Sequence, residues 1–220
     1  MRIFKIDATT SRITENTPLI TPAGAGPRHG TFLATGDSTY FFLVGELDNI
    51  VRSYKVTYGM DLMTLDEVFA AGMYGDMPTP AGAAAAEALV SVSFFPRFCK
   101  DNLISLKPDG KYLLTSSRNA SLFQIRNFDP RNSTKIPSDT LQSWAIDPST
   151  GKLSFEQLAP AGGSFPRQFS LNKNGTLAAV GLQKDSRVVI IERHVENGTF
   201  GKFVASINVA GEITTVIWDE

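Results

Sequence analysis

Apolar and polar residues alternate with a period of two along most of this chain, and the alternating runs are short. Thr31–Thr35 and Tyr40–Gly45 read as two strands, and Arg2–Asp7 and Ile50–Tyr58 show the alternation itself. That is the pattern of half-buried strands, whose successive side chains point to opposite faces. Turn residues separate the runs: Gly36-Asp37-Ser38, Pro108-Asp109-Gly110 and Pro148-Ser149-Thr150-Gly151. Glycine supplies positive φ at such points and proline presets its own φ. A second strand is predicted near Ile13–Ile20, and Met63–Ala71 reads as a strand or a short helix. Thr21–Pro27 and Gly72–Ala86 are Pro/Gly/Ala loops, with a helical turn expected over Ala83–Ala88. Leu89–Asn102 breaks the pattern. It carries Cys99 and Phe94-Phe95-Pro96 without periodicity, and is read as an insertion with irregular backbone. Strands resume at Ile104–Lys107, Lys111–Ser116 and Leu122–Ile125. After a polar loop over Asn127–Asp139 they continue at Leu141–Asp147 and Lys152–Leu158. Gln168–Leu171, Thr176–Leu182, Arg187–Glu192, Phe203–Val209 and Thr214–Trp218 complete the series.

Three segments repeat one plan: Phe32…Gly36…Tyr40–Val44, Leu106…Gly110…Tyr112–Thr115 and Phe169…Gly175…Leu177–Val180. Each is a strand, a glycine turn, an apolar strand, a polar corner and a further alternating strand. A Pro-Arg pair stands before the first and third units, as Pro27-Arg28 and Pro166-Arg167. A β-sandwich could hold similar strands, but corners recurring at one point of each unit favour radial repetition. The expected fold is all-β: a β-propeller of four-stranded antiparallel blades forming one domain over 1–220. About three blades, with an orphan strand pair at the start and a lone strand at the end, make an incomplete ring.

Composition narrows the function classes. A net charge of −1, with 42% hydrophobic and 20% charged residues, provides no basic face for nucleic acid. No apolar run approaches the ~20 residues of a membrane helix. Met1–Asp7 lacks the apolar core and cleavage site of a signal peptide. The single Cys99 precludes an internal disulfide. Four glycosylation sequons begin at Asn119, Asn132, Asn174 and Asn197. They motivate a rival reading, a secreted or surface glycoprotein that binds through its loops, and leave cytoplasm and secretion both open. No Cys/His/Asp cluster has metal-ligand spacing and no Gly-rich phosphate loop joins a strand to a helix, so no metal, nucleotide or other cofactor is expected.

Several stretches together resemble one family. They are Gly26-Pro27-Arg28-His29, Val44-Gly45-Glu46-Leu47-Asp48-Asn49, Lys107-Pro108-Asp109-Gly110-Lys111-Tyr112-Leu113, Ser116-Ser117-Arg118-Asn119 and Pro166-Arg167-Gln168-Phe169. In this order they look like the seven-bladed lactonase family, which includes 6-phosphogluconolactonases and fungal 3-carboxy-cis,cis-muconate cyclases. The ending Val216-Ile217-Trp218-Asp219 resembles the close of the fungal branch. The resemblance implies that roughly three blades precede Met1, and that Thr214–Trp218 is the innermost strand of a blade those residues would complete. It further implies an activity that forms or opens lactones, without a cofactor, on a small anionic sugar acid or muconate.

Arg28, Glu46 and Arg118 match pocket positions of the fungal branch, and Arg28-His29 matches the first position of the bacterial lactonase branch. The fungal branch also uses a histidine from an earlier blade, which this chain does not contain. Arg28 and Arg118 are therefore expected to bind substrate anions, His29 to act as acid or base, and Glu46 to act as base or to orient an arginine. Arg167, Glu87 and Gln183 occupy related corners and are further substrate-binding candidates. The chemistry is coherent, because a guanidinium is a permanently charged fork suited to carboxylate or phosphate. His29 follows Arg28 directly, so on a regular strand the two side chains would point to opposite faces.

Overall fold

A computed structural model of the chain describes residues 1–59, 62–92 and 108–219. Three four-stranded antiparallel sheets dominate it. The first comprises β3 (Pro27–Thr35), β4 (Ser38–Gly45), β5 (Ile50–Tyr58) and β6 (Met63–Gly72) in that order. The second orders β7 (Ala84–Val92), β8 (Pro108–Arg118), β11 (Thr140–Ile146) and β12 (Leu153–Pro160). The third comprises β13 (Pro166–Leu171), β14 (Leu177–Leu182), β15 (Arg187–Arg193) and β16 (Phe200–Asn208). The first strands β3, β7 and β13 are neighbours in space, with β7 in the middle. The sheets are thus blades set side by side around an axis, in an arc that does not close among the described residues. A two-stranded hairpin of β1 (Ile3–Ile6) and β2 (Ile13–Asn16) precedes the first blade.

Several local expectations are corrected. Ala84–Ala88 is strand, part of β7, rather than a helical turn. Alanine favours helix in isolation, but here Ala85 and Ala86 are fully buried in the strand between β3 and β13. The lack of bulk lets three innermost strands approach. Leu89–Val92 completes β7, so the expected insertion does not begin at Leu89; its residues 93–102 lie outside the described residues, as does Ile104–Lys107. Met63–Gly72 is strand, and β8 starts at Pro108, so the predicted turn there opens the strand with Gly110 at φ +66°. The polar loop after β9 (Phe123–Arg126) contains β10 (Lys135–Ser138), which pairs with β9 in a hairpin set between the second and third strands of the middle blade. That hairpin lengthens the repeat. Thr214–Trp218 is not a strand; it runs beside β13, with the Val216 amide donating to Gln168 Oε1 at 2.7 Å and Trp218 Nε1 to the Ser170 carbonyl at 3.1 Å. No strand of the described residues ladders with it.

Alternation assigns the core. Leu113 and Leu114, adjacent on β8, point to opposite faces and are both fully buried. Leu113 and Trp144 pack with Phe42 and Val44 of the first blade. Leu114 and Leu141 pack with Phe169 and Val180 of the third. A second device repeats at each joint. Tyr40 on β4 donates its hydroxyl to the Ser149 carbonyl at 2.7 Å, and its ring lies where a Cβ on Gly151 would be. Tyr112 on β8 does the same to Glu196 at 2.9 Å and Gly198. The turn closing one blade is thereby pinned to the second strand of the blade before it.

Candidate anion-binding site

Each innermost strand carries a β-bulge at the same point. Register shifts between Pro27 and Gly30, between Ala85 and Ala88, and between Pro166 and Gln168, adding one residue to the first strand each time. Pairing with the second strand aligns Pro27, Ala85 and Pro166, which face Gly45, Ser117 and Leu182. The residues that follow are then equivalent: Arg28, Ala86 and Arg167 on the first strands, and Glu46, Arg118 and Gln183 leaving the second. Bulges bend a strand and re-aim its side chains. The expected opposition of Arg28 and His29 fails for that reason. Both reach the neighbouring strand β7: Arg28 donates to the Ala85 carbonyl at 3.4 Å, and His29 Nδ1 lies 2.6 Å from Glu87 Oε1.

Glu46 joins two blades. One carboxylate oxygen accepts from Arg118, and the other lies 3.5 Å from Arg28 Nε. The side chains of Arg28 and Arg118 are only 12% and 9% exposed, so both cations are held in a partly dry corner. Burial lowers the Arg28 pKa, the Arg118 and Arg167 charges add to that, and Glu46 and Glu87 oppose it. The three guanidiniums therefore feel one another, with two carboxylates against them. Arg118 Nε is buried with no hydrogen-bond partner. A buried donor left without an acceptor is unfavourable.

His29 and Glu87 form a second unit. Glu87 is buried, and the oxygen that meets His29 also accepts the Ala88 amide at 2.9 Å. Ser116 supports this strand, accepting the Glu87 amide and donating to the Pro166 carbonyl at 2.8 Å. A carboxylate only accepts, so Nδ1 is the ring nitrogen that donates to Glu87. The histidine side chain is 41% exposed. Arg167 reaches Gln183 Oε1 at 3.5 Å, and Gln183 Nε2 donates to Glu212 at 2.7 Å.

Three nearby residues escaped the sequence reading. Asp139, the single residue between β10 and β11, is buried and accepts the amides of Asn119, Ser121 and Phe165. Phe165 lies beneath Arg118 and Lys184, whose cationic centres stand 5.6 and 3.6 Å from its ring centroid. Phe165 adjoins the Pro-Arg pair and offered a local signal; Asp139 offered none, because its partners are distant in sequence. Among the described residues no group of three His, Cys, Asp or Glu side chains is placed to hold a metal ion.

A family model described as "Lactonase, 7-bladed beta-propeller" matches residues 1–218. A probable 6-phosphogluconolactonase of Arthroderma benhamiae is 25% identical over 199 residues, covering 90% of this chain. A 6-phosphogluconolactonase of Formosa agariphila is 26% identical over 188 residues, covering 86%. The chain spans 42% of the length of each of these curated relatives. Among solved structures, a putative 6-phosphogluconolactonase from Bacteroides uniformis aligns with a TM-score of 0.70 at 20% identity, covering 97% of this chain and 50% of that one. The periplasmic gluconolactonase of Pseudomonas aeruginosa aligns at 0.62 with 23% identity, covering 88% and 42%. At these identities the structural matches establish the blade architecture.

Proposed function

The chain belongs to the seven-bladed β-propeller lactonase family, and from its site we propose that it carries the anion-binding and acid–base wall of an enzyme that opens lactones of anionic sugar acids. The observation that carries this reading is the bridging of Arg28 and Arg118 by Glu46, beside the His29–Glu87 pair. Arg28 and Arg118 hold a phosphate or carboxylate of the substrate and, with Arg167, lower the energy of negative charge that develops on the carbonyl oxygen. His29 Nε2 takes a proton from water as its oxygen bonds to the lactone carbonyl carbon. The tetrahedral intermediate then collapses, the bond from carbonyl carbon to ring oxygen breaks, and His29 returns the proton to that oxygen. Glu87 holds the imidazole and steadies its cation. Glu46 sets the spacing of the two guanidiniums. Lactone closure is the same path reversed.

Within the family, lactone hydrolysis is favoured over muconate cyclisation, since Arg28-His29 is the lactonase-type pair and His29 has its carboxylate partner here. The test is hydrolysis of 6-phosphogluconolactone by the 220-residue chain, followed by acid release above the spontaneous rate, with 3-carboxymuconate as the competing substrate. Calorimetric titration with inorganic phosphate runs alongside. Expected are phosphate binding that Arg118→Ala weakens at least about tenfold, and hydrolysis that His29→Asn lowers by about 100-fold. A folded chain that binds no phosphate would sink the proposal, and turnover of 3-carboxymuconate alone would reverse the preference within the family.

A further inference from the structure

Phe165 stands immediately before Pro166-Arg167, with its backbone at φ +61°. For a bulky L-residue that conformation is an outlier, persisting only where surrounding structure enforces it. Here two bonds enforce it. The Phe165 amide donates to Asp139 Oδ2 at 2.8 Å, and its carbonyl accepts the Gln183 amide at 2.9 Å. Asp139 is 1% exposed and also binds the amides of Asn119 and Ser121 at 3.0 and 2.8 Å. One buried carboxylate thus joins the loop that follows Arg118 to the residue that precedes the Pro166-Arg167 pair. The ring so placed lies under two cations, the Lys184 ammonium at 3.6 Å and the Arg118 guanidinium at 5.6 Å from its centroid. Two like charges over one ring repel each other, and the negative face of the ring offsets that repulsion. The ring neutralises neither cation; Lys184 is exposed to solvent, and Arg118, which donates to Glu46, is 9% exposed.

We infer that Phe165, clamped by Asp139, is a positioning residue of the anion pocket that presents Arg118 and Lys184 to a common ligand, which makes Lys184 a further ligand contact. The ligand class is a dianion whose oxygens can meet both cations, a phosphate monoester or a dicarboxylate. The inference rests on the anion-pocket reading above and adds to it a residue and a contact that the Pro-Arg and Ser-Ser-Arg corners do not supply.

The probe is inorganic phosphate, titrated calorimetrically at low salt into the 220-residue chain and its variants, with thermal midpoints measured in parallel. Phe165→Leu keeps bulk but removes the aromatic face, and weakens phosphate binding about three- to tenfold. Phe165→Tyr restores the face and binds within about twofold of the parent, a rescue that mere filling of space would not require. Lys184→Gln, an exposed change, weakens binding to a similar degree while its midpoint stays at the parent value. Parent-like affinity in Phe165→Leu, or equal weakness in the Leu and Tyr variants, overturns the inference and leaves the pocket standing. Should Phe165→Leu fail to fold, unchanged affinity in Lys184→Gln overturns it instead. No phosphate binding by the parent overturns the pocket and the inference together.

Discussion

Glu46 shows how much of the site depends on one carboxylate. It accepts from Arg118 with one oxygen and faces Arg28 with the other. Glu46→Gln keeps one acceptor, and at the other position turns an amide N–H toward a guanidinium. Two crowded cations lose their shared counter-charge, in a corner where Arg118 already has a buried donor without a partner. Glu46 is itself about one-third exposed, which discounts the loss to about 1–3 kcal/mol of stability. The same change leaves the guanidiniums free for an external anion, so phosphate affinity rises as stability falls. Urea denaturation and phosphate titration of the one variant check both halves, and a midpoint unchanged from the parent contradicts the argument. At this scale the sequence was half legible. Arg28, Glu46 and Arg118 were singled out by resemblance to a family's pocket positions, and the structure brings the three side chains together at neighbouring corners. The pairing of His29 with Glu87 was not legible, because it depends on a bulge that cancels strand alternation, and on a contact 58 positions along the chain.

At the scale of elements, the joints between blades are the parts most open to test. A Cβ on Gly151 would lie 2.3 Å from the Tyr40 ring, and the residue sits at φ +71°. Gly151→Ala should therefore cost about 2–4 kcal/mol, combining a left-handed alanine with overpacking. Gly36→Ala, at φ +53° with nothing within 4 Å, bears only the first of these costs. Equal losses in the two variants by chemical denaturation would show that the Tyr40 contact contributes nothing. The same turn carries an acid-sensitive group. Asp147 is held down to about 2 by hydrogen bonds from the Ser149 and Thr150 hydroxyls and the Ser149 amide. Its pKa is depressed on folding, so its contribution is complete above the ordinary 3.8 and is lost as pH falls from there toward about 2. Thermal midpoints of the parent should drop more steeply across that window than those of Asp147→Asn. Parallel curves would remove Asp147 from the account. Most strands were legible because short alternating or continuous apolar runs bounded by Gly, Pro and Asp turn residues are the pattern of half-buried and fully buried strands. β7 was not, since its alanines read locally as helix and become strand only when β3 and β13 crowd them from either side. β9 was read as a strand over Leu122–Ile125, but its hairpin partner β10 was missed, because it is short and lies in a polar stretch.

For the molecule as a whole, stability runs through the middle blade. Its two faces serve different cores: Leu113, Trp144 and Val90 belong to the one shared with the first blade, and Leu114 and Leu141 to the one shared with the third. The first blade's other face forms a third cluster of Phe41, Leu43, Tyr54 and Val56, with the partly buried Leu19, Met63 and Leu65 packed against it. Phe4, Ile6 and Ile13 of the leading hairpin remain at least half exposed. In a structure of repeated units, each contacting only its neighbours, an opening event that starts at either end breaks one interface, whereas opening the middle blade breaks two. Amide exchange should therefore be slowest in β8 and β11, intermediate in β4 and β14, and fastest in β1 and β2. Trp144→Ala, which empties a site 1% exposed in the core between the first two blades, should cost about 3–5 kcal/mol. It should speed exchange in the first and middle blades more than in the third. Slowest exchange in β15 and β16, or an acceleration confined to the middle blade, would mean that the blades open independently. The arginine corner depends on which holds, because Arg28 and Glu46 come from the first blade and Arg118 from the second. If the blades open independently, the two guanidiniums separate whenever that interface does; if they open together, the anion pocket persists as long as the middle blade is folded.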